Sequence, residues 1–173
     1  MTDLLSSASV TLRAALAADA DWIAELRAEV LRADLERLGR YDETRVRQRF
    51  RDAFEPAQTR IIVVDGEDIG SVAVRADGGA RWLEHFYIET SHQGRGIGGR
   101  VLEMALDRTG LYRLNVLQGS PARSLYERHG FVVDTQDDVD VFMSLDRTGR
   151  AIVESDGRLP GHRESLRTPL ESR

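Results

Sequence analysis

Short β-branched or alternating apolar runs recur along the chain at Val10 to Ala14, Arg60 to Val64, Ile69 to Val74, Arg81 to Ile88, Tyr112 to Leu117, Phe131 to Val133 and Val139 to Leu145. Each has the spacing of a strand. Between them the period changes to that of helices. Trp22, Ile23, Leu26, Val30 and Leu31 form one stripe, which Asp19 or Asp21 can cap, and it runs to about Ala33. The segment Asp34 to Tyr41, with Gly39 inside it, reads as a helix end and loop. Asp42 then caps a second helix through Val46, Phe50, Ala53 and Phe54, which Pro56 ends. Ile97, Val101, Leu102, Ala105 and Leu106 share the face of a third helix reaching Thr109. A short fourth runs from Pro121 to His129, with Gly130 behind it. Asp65-Gly66 and Asp77-Gly78-Gly79 are turn signals, so the strands before the third helix form an antiparallel meander. The last two strands pair as a hairpin. The order is β-α-α-β-β-β-α-β-α-β-β: an α/β (α+β) chain with a mixed central sheet and about four helices.

The stretch Phe86 to Leu106 joins a strand to a helix through Gly94, Gly96, Gly98 and Gly99. The first turn of a helix has N–H groups with no partner inside the helix, and the macrodipole adds partial positive charge there. Glycines lack Cβ atoms and so let an anion approach the backbone closely. The ligand such a loop suits is a phosphate or pyrophosphate. A Walker A loop needs Gly-Lys-Ser/Thr, and the chain has no lysine. Gly94, Gly96 and Gly99 satisfy the dinucleotide pattern G-x-G-x-x-G, but no acidic residue ends the next strand, Tyr112 to Leu117, as that motif wants. A third pattern, Gln/Arg-x-x-Gly-x-Gly/Ala, is met in full by Gln93, Gly96 and Gly98.

Composition narrows the picture. At 173 residues with 41% hydrophobic content, the chain supports one domain with a real core. It has no cysteine, and its four histidines are scattered without zinc-like spacing, so no metal is expected. A net charge of −5 argues against nucleic acid as a partner. Met1 to Val10 has neither the basic nor the apolar part of a signal peptide, and no apolar run reaches membrane-spanning length, so a cytoplasmic protein without membrane attachment is expected. Residues 1–146 read as the folded domain and 147–173 as a polar, arginine-rich extension.

Two motifs together carry a resemblance to a known family. Gln93-Gly94-Arg95-Gly96-Ile97-Gly98 is similar to the acetyl-CoA pyrophosphate loop of GNAT (GCN5-related) N-acetyltransferases. Downstream, Ala122-Arg123-Ser124-Leu125-Tyr126-Glu127-Arg128-His129-Gly130-Phe131 resembles that family's A-x-x-L-Y-E-x-x-G-F segment. The likeness covers roughly Val10 to Leu145. It implies a mostly antiparallel sheet with a splayed parallel pair in its middle. Acetyl-CoA as co-substrate would lie between the strands Arg81 to Ile88 and Tyr112 to Leu117. The resemblance further implies that backbone groups near Phe86, Tyr87 and Ile88 hold the pantetheine arm and polarise the thioester. Gln93 to Gly98 and Ala122 would join them in binding. Many members carry an asparagine six residues before the tyrosine; here that position is Ser120. A homodimer is compatible with the family.

Acetyl transfer to an amine needs a base, a polarised carbonyl and a partner for the departing thiolate. Tyr126 matches the family's general acid. For the base, Glu84 lies on the strand bordering the site and can accept a proton through water. By alternation it shares a face with Trp82 and Phe86 unless a bulge shifts the register, while His85, on the other face, competes for the role. The acceptor pocket, by resemblance, is formed by Ala28 to Tyr41 and Asp134 to Asp140. The four aspartates of the latter segment would favour a cationic amine, on a small molecule or a peptide. The function expected is acetyl-CoA-dependent N-acetyltransfer. The alternative is a CoA-binding module without turnover, which would need neither Tyr126 nor Glu84.

Overall fold

The computed structural model describes residues 8–148. The reading of the C-terminal segment as a polar extension falls, from residue 149 on, outside the described residues, as do residues 1–7. The elements are β1 (Val10–Ala14), α1 (Ala20–Arg37), α2 (Glu43–Ala53), β2 (Thr59–Val64), β3 (Glu67–Asp77), β4 (Ala80–Ile88), α3 (Ile97–Ala105), β5 (Leu111–Leu117), α4 (Ala122–Arg128), β6 (Val132–Gln136) and β7 (Asp140–Asp146). Seven strands form one sheet in the order β1-β2-β3-β4-β5-β7-β6, and β4–β5 is its parallel pair. The mixed sheet and the four helices agree with the pattern expected from the sequence.

Each face of the sheet buries its own core. On one side α3 and α4 cover Leu83, Tyr112, Leu114, Val141 and Met143 with Val101, Leu102 and Tyr126. On the other, α1 and α2 place Ile23, Leu26 and Phe50 against Ile61 and Tyr87. Ile23, Phe50, Ile61, Val101, Leu102 and Tyr112 have no exposed surface. Burying a side chain of this size fully is worth roughly 1.5–3 kcal/mol, so both helical layers are firmly held.

The local chemistry accounts for several boundaries. Asp42 caps α2 as expected, its carboxylate accepting from the Arg45 amide at 2.8 Å. Asp19 does not cap α1 in that way. Its carboxylate accepts from the Leu16 amide, from Trp22 Nε1 and from both terminal nitrogens of Arg13, tying β1 to the helix start. The first helix also continues past Ala33 to Arg37. Ion pairs Arg32–Glu36 and Arg37–Asp34 support its last turns, and Gly39, at φ +66°, receives the chain beyond. The third helix stops at Ala105 rather than Thr109. The segment after it is held as a loop, because the Tyr112 hydroxyl bonds both the amide and the carbonyl of Arg108, and Arg81 donates to the Thr109 carbonyl.

Strand β4 departs from simple alternation, which bears on the site. Ser71 pairs with Tyr87 and Ala73 with Glu84, so one extra residue sits in β4 between these pairs. His85 takes up the bulge at φ +48°, and the buried Ser71 hydroxyl donates to its carbonyl at 2.7 Å. Cross-strand partners share a face, so Glu84 lies with Trp82 and Tyr87, not with Phe86. The expectation that Glu84 and Phe86 point the same way is thereby corrected.

Candidate active site

Strands β4 and β5 pair only over Ala80–Trp82 with Leu111–Arg113. Beyond that they part, while β5 stays bonded to β7 along its whole length. The carboxyl half of β4 therefore loses its neighbour on one edge and leaves backbone groups facing a gap. A cleft of about 790 Å³ opens there, walled by α1 and α2 on one side and by α4 on the other. Its lining includes Glu84, His85, Phe86, Tyr87, Ser120, Ala122 and Tyr126. The structure thus gathers the two expected catalytic residues and several of the expected binding residues in one cavity.

The glycine loop lies next to this cleft rather than in its wall. Gln93 is fixed by its side-chain amide, which donates to the Ile88 carbonyl at 2.9 Å. Gly94 and Gly96 then turn the chain at φ +73° and +77°, a backbone region costly for other residues. Ile97 opens α3, and none of the amides of Gly96, Ile97, Gly98 or Gly99 finds a partner among the described residues. These are the free donors that a diphosphate would need. Gly98 faces Leu125 of α4 so closely that a Cβ there would sit 3.0 Å from its methyl. That contact seats the loop directly beside the helix that carries Tyr126. Arg95, Gly96 and Ile97 also border a smaller cavity of about 340 Å³.

Tyr126 is 7% exposed and stacks between Phe86 (ring centroids 6.4 Å apart) and Phe131 (5.9 Å). Its hydroxyl has no hydrogen-bond partner among the described residues, although it lines the cleft. Burial pushes this phenol well above its ordinary pKa, so it stays protonated at any physiological pH.

Glu84 and His85 occupy very different environments. Glu84 is gripped by Arg75, whose Nη2 donates to Oε1 at 2.8 Å and whose Nε reaches both oxygens at 3.2–3.3 Å. His85 sits edge-on to Phe50 at 5.0 Å, with Nδ1 3.3 Å from the Tyr87 hydroxyl. Arg27 of α1 donates to that same hydroxyl at 2.9 Å. Burial, and then the Arg27 charge, hold the His85 imidazole below its ordinary pKa, so it is neutral at pH 7. The Tyr87 hydroxyl is pushed up by its burial. The sequence named His85 only as a competitor, and nothing in the residues around it announces the bulge that turns it into the cleft.

Two further expectations resolve locally. The Ser120 hydroxyl accepts from the Ala122 amide at 3.3 Å and so steadies the start of α4. In the acidic hairpin, Asp137 accepts from the amides of Val139 and Asp140 and shapes the turn, and Asp134 accepts from the Ser144 hydroxyl. Of the four aspartates only Asp140 lines the cleft, so the hairpin does not present the acidic mouth expected of it. Among the described residues no cluster of three metal-ligating side chains occurs, and no helix is long and apolar enough to cross a membrane.

Comparison with known proteins agrees with this arrangement. The family model described as acetyltransferase (GNAT) domain matches residues 57–133, which run from the turn before β2 to β6 and contain both the glycine loop and Tyr126. No curated protein matches the chain. Among solved structures, the paia N-acetyltransferase of Thermoplasma acidophilum, in complex with coenzyme A, aligns with a TM-score of 0.65 at 19% identity over 80% of this chain and 99% of its own. The ribosomal-protein-S18-alanine N-acetyltransferase of Escherichia coli aligns with a TM-score of 0.61 at 15% identity over 86% of this chain and 100% of its own. At such identities these likenesses speak for the fold, and the family match and the two motifs speak for the chemistry. Residues 57–133 thus form a segment that matches the GNAT acetyltransferase domain, whose reaction is acyl transfer.

Proposed function

We propose that the protein transfers an acetyl group from acetyl-CoA directly to a primary amine of a small molecule or peptide. The observation that carries this reading is the Tyr126 hydroxyl, protonated, without a hydrogen-bond partner among the described residues and lining the gap between β4 and β5. In this reading the free amides at the start of α3 bind the diphosphate of acetyl-CoA. The unpaired edge of β4 from Glu84 to Ile88 takes the pantetheine arm and polarises the thioester carbonyl. Ser120 and Ala122 flank the arm at the start of α4. Tyr126 donates a hydrogen bond to the sulfur as negative charge builds on it, and its proton is available to the departing thiolate.

The amine must also lose a proton. Glu84 is the base expected from the sequence, but its carboxylate is already engaged by Arg75. We propose His85 for the role, with Glu84 as its charged neighbour. An imidazole held neutral by burial is poised to take a proton near pH 7. The setting we propose is a cytoplasmic enzyme, as a monomer or a homodimer.

The test joins calorimetry to kinetics. Acetyl-CoA and CoA bind the wild type, and NAD does not. Tyr126→Phe keeps acetyl-CoA affinity within about two-fold and lowers kcat by roughly 10- to 1000-fold in an amine screen. NAD binding without a CoA signal overturns the reading, and unchanged turnover in the variant removes Tyr126 from the mechanism.

A further inference from the structure

Helix α2 carries arginines on two faces, and they are treated differently. On the face toward α1, Arg47 pairs with Glu25 at 2.7 Å and Arg51 with Asp21 at 3.0 Å, both acids supplied by α1. On the other, the exposed Arg45 and Arg49 line the cleft and make no ion pair among the described residues. They lie at i and i+4, where like charges repel along a helix. Arg40, from the connection between the helices, lines the same cavity, also without an ion pair. Opposite them, Arg27 reaches in from α1. Its Nη1 donates to Tyr87, and among the described residues its buried Nε has no partner and no carboxylate lies within ion-pair distance of it.

The cleft's carboxylates do not balance these charges. Glu84 is paired with Arg75, Asp42 caps α2, and Asp140 accepts from Asn115. In a chain of net charge −5, this one cavity presents five arginines against three committed acids. Arg27 alone of the unpaired four is partly buried, and there its orphaned N–H is costly, while Arg40, Arg45 and Arg49 are exposed at the cleft's mouth. Guanidinium groups are suited to two-pronged contact with carboxylate or phosphate oxygens.

We infer that the acceptor of this enzyme is an amine that also bears an oxyanion, a carboxylate or a phosphate, held by Arg27, Arg45 and Arg49 with Arg40 at the mouth. The inference rests on the acetyltransfer reading above and narrows its substrate. The oxyanion supplies a counter-charge to the Arg27 guanidinium, which lines the cleft, and offsets the repulsion of the α2 pair. The amine is then directed at the gap between β4 and β5. A purely cationic acceptor such as a polyamine is repelled by the same groups.

The experiment keeps the two readings apart. Protein saturated with CoA, so that the glycine loop is filled, is titrated calorimetrically with inorganic phosphate and with succinate, for wild type and for the double variant Arg45→Gln, Arg49→Gln. At least one anion binds the wild type, at least ten-fold more weakly to the variant, and CoA affinity is unchanged. Which of the two binds better separates a phosphate-bearing acceptor from a carboxylate-bearing one. In parallel, acetyl-CoA turnover is followed with amino acids against their amides, amino-sugar phosphates against free amino sugars, and spermidine. Anionic members are preferred, and the variant raises their KM at least ten-fold while kcat stays within about two-fold. Absence of anion binding by the CoA-loaded wild type, or a preference for spermidine or neutral amines, overturns the inference and leaves acetyltransfer standing. Failure of CoA itself to bind takes down both.

Discussion

In the proposed reading, the cleft and the glycine loop beside it recognise their ligands by different means. The α3–α4 side works through backbone: free amides at a helix start, two glycines at positive φ, and a glycine pressed against Leu125. The α1–α2 side works through side chains: Arg27, Arg45 and Arg49 on helix faces, and His85 on a bulge. Backbone recognition leaves a mark in the sequence, because it favours glycine and its glycines, Gly94, Gly96 and Gly98, fall within a few residues of one another. Side-chain recognition is distributed over elements far apart in the chain, and arginine is so common here that no single one stands out. The proposed co-substrate site can therefore be read from a motif, whereas the proposed acceptor site emerges only when the helices are laid over the sheet.

The sharpest way to break this contrast is to remove the backbone site. Gly96 has open space around its Cβ position, so Gly96→Glu projects a carboxylate where the diphosphate would lie. It also forces a side chain into the left-handed region, at a cost of roughly 1–2 kcal/mol. Acetyl-CoA binding is expected to vanish from calorimetry. Gly78→Glu serves as the control, since Gly78 is likewise at positive φ with open space but sits in the β3–β4 turn. It should lose similar stability and bind acetyl-CoA normally. If both variants bind, the loop is not the diphosphate site.

A second comparison separates the neighbours on β4. With His85 as base, kcat/KM falls on the acid side with an apparent pKa below that of free imidazole, because burial and Arg27 disfavour its charged form. His85→Asn should erase that limb and lower kcat by roughly 10²- to 10⁴-fold. Glu84→Gln removes a carboxylate that pulls the His85 pKa upward, so the limb should move to lower pH and persist. The opposite pattern, with the limb lost in Glu84→Gln and kept in His85→Asn, would return the role to Glu84.

Much of the fold was legible, and the reasons are specific. The Asp65-Gly66 and Gly78-Gly79 turns, the Asp42 cap and the helical stripe through Val101 and Leu102 are local features, and each element followed its local signal. What could not be read depends on tertiary partners. Nothing in Leu83 to Tyr87 announces a bulge, which is fixed by the Ser71 hydroxyl from the neighbouring strand. The end of the third helix was misplaced because the Tyr112 hydroxyl, on β5, holds the Arg108 backbone as a loop. The acidic hairpin reads as a charged mouth, yet Asp137 shapes its turn, Asp134 accepts from Ser144 and only Asp140 lines the cleft. In the first two cases a side chain from another strand decided the outcome, and in the third it was the hairpin's own hydrogen bonding.

The smallest effect concerns a residue outside the site whose role also changed. Asp19 reads as a helix cap in the sequence but acts as a junction among Arg13, Leu16 and Trp22. The Arg13 guanidinium, chiefly through its hydrogen bonds, holds the Asp19 carboxyl far below the usual carboxylate range. A carboxyl with its folded pKa depressed stabilises the fold above the unfolded pKa, and that contribution is lost as pH falls toward the folded value. Asp19→Asn should therefore cost about 1–3 kcal/mol near pH 7, toward the lower end because Arg13 is 34% exposed and screened by solvent. Thermal unfolding of both proteins across pH should show the curves far apart at neutrality and converging in acid. A gap that stays constant with pH would mean that packing of the junction, and not its charge, is what Asp19 supplies.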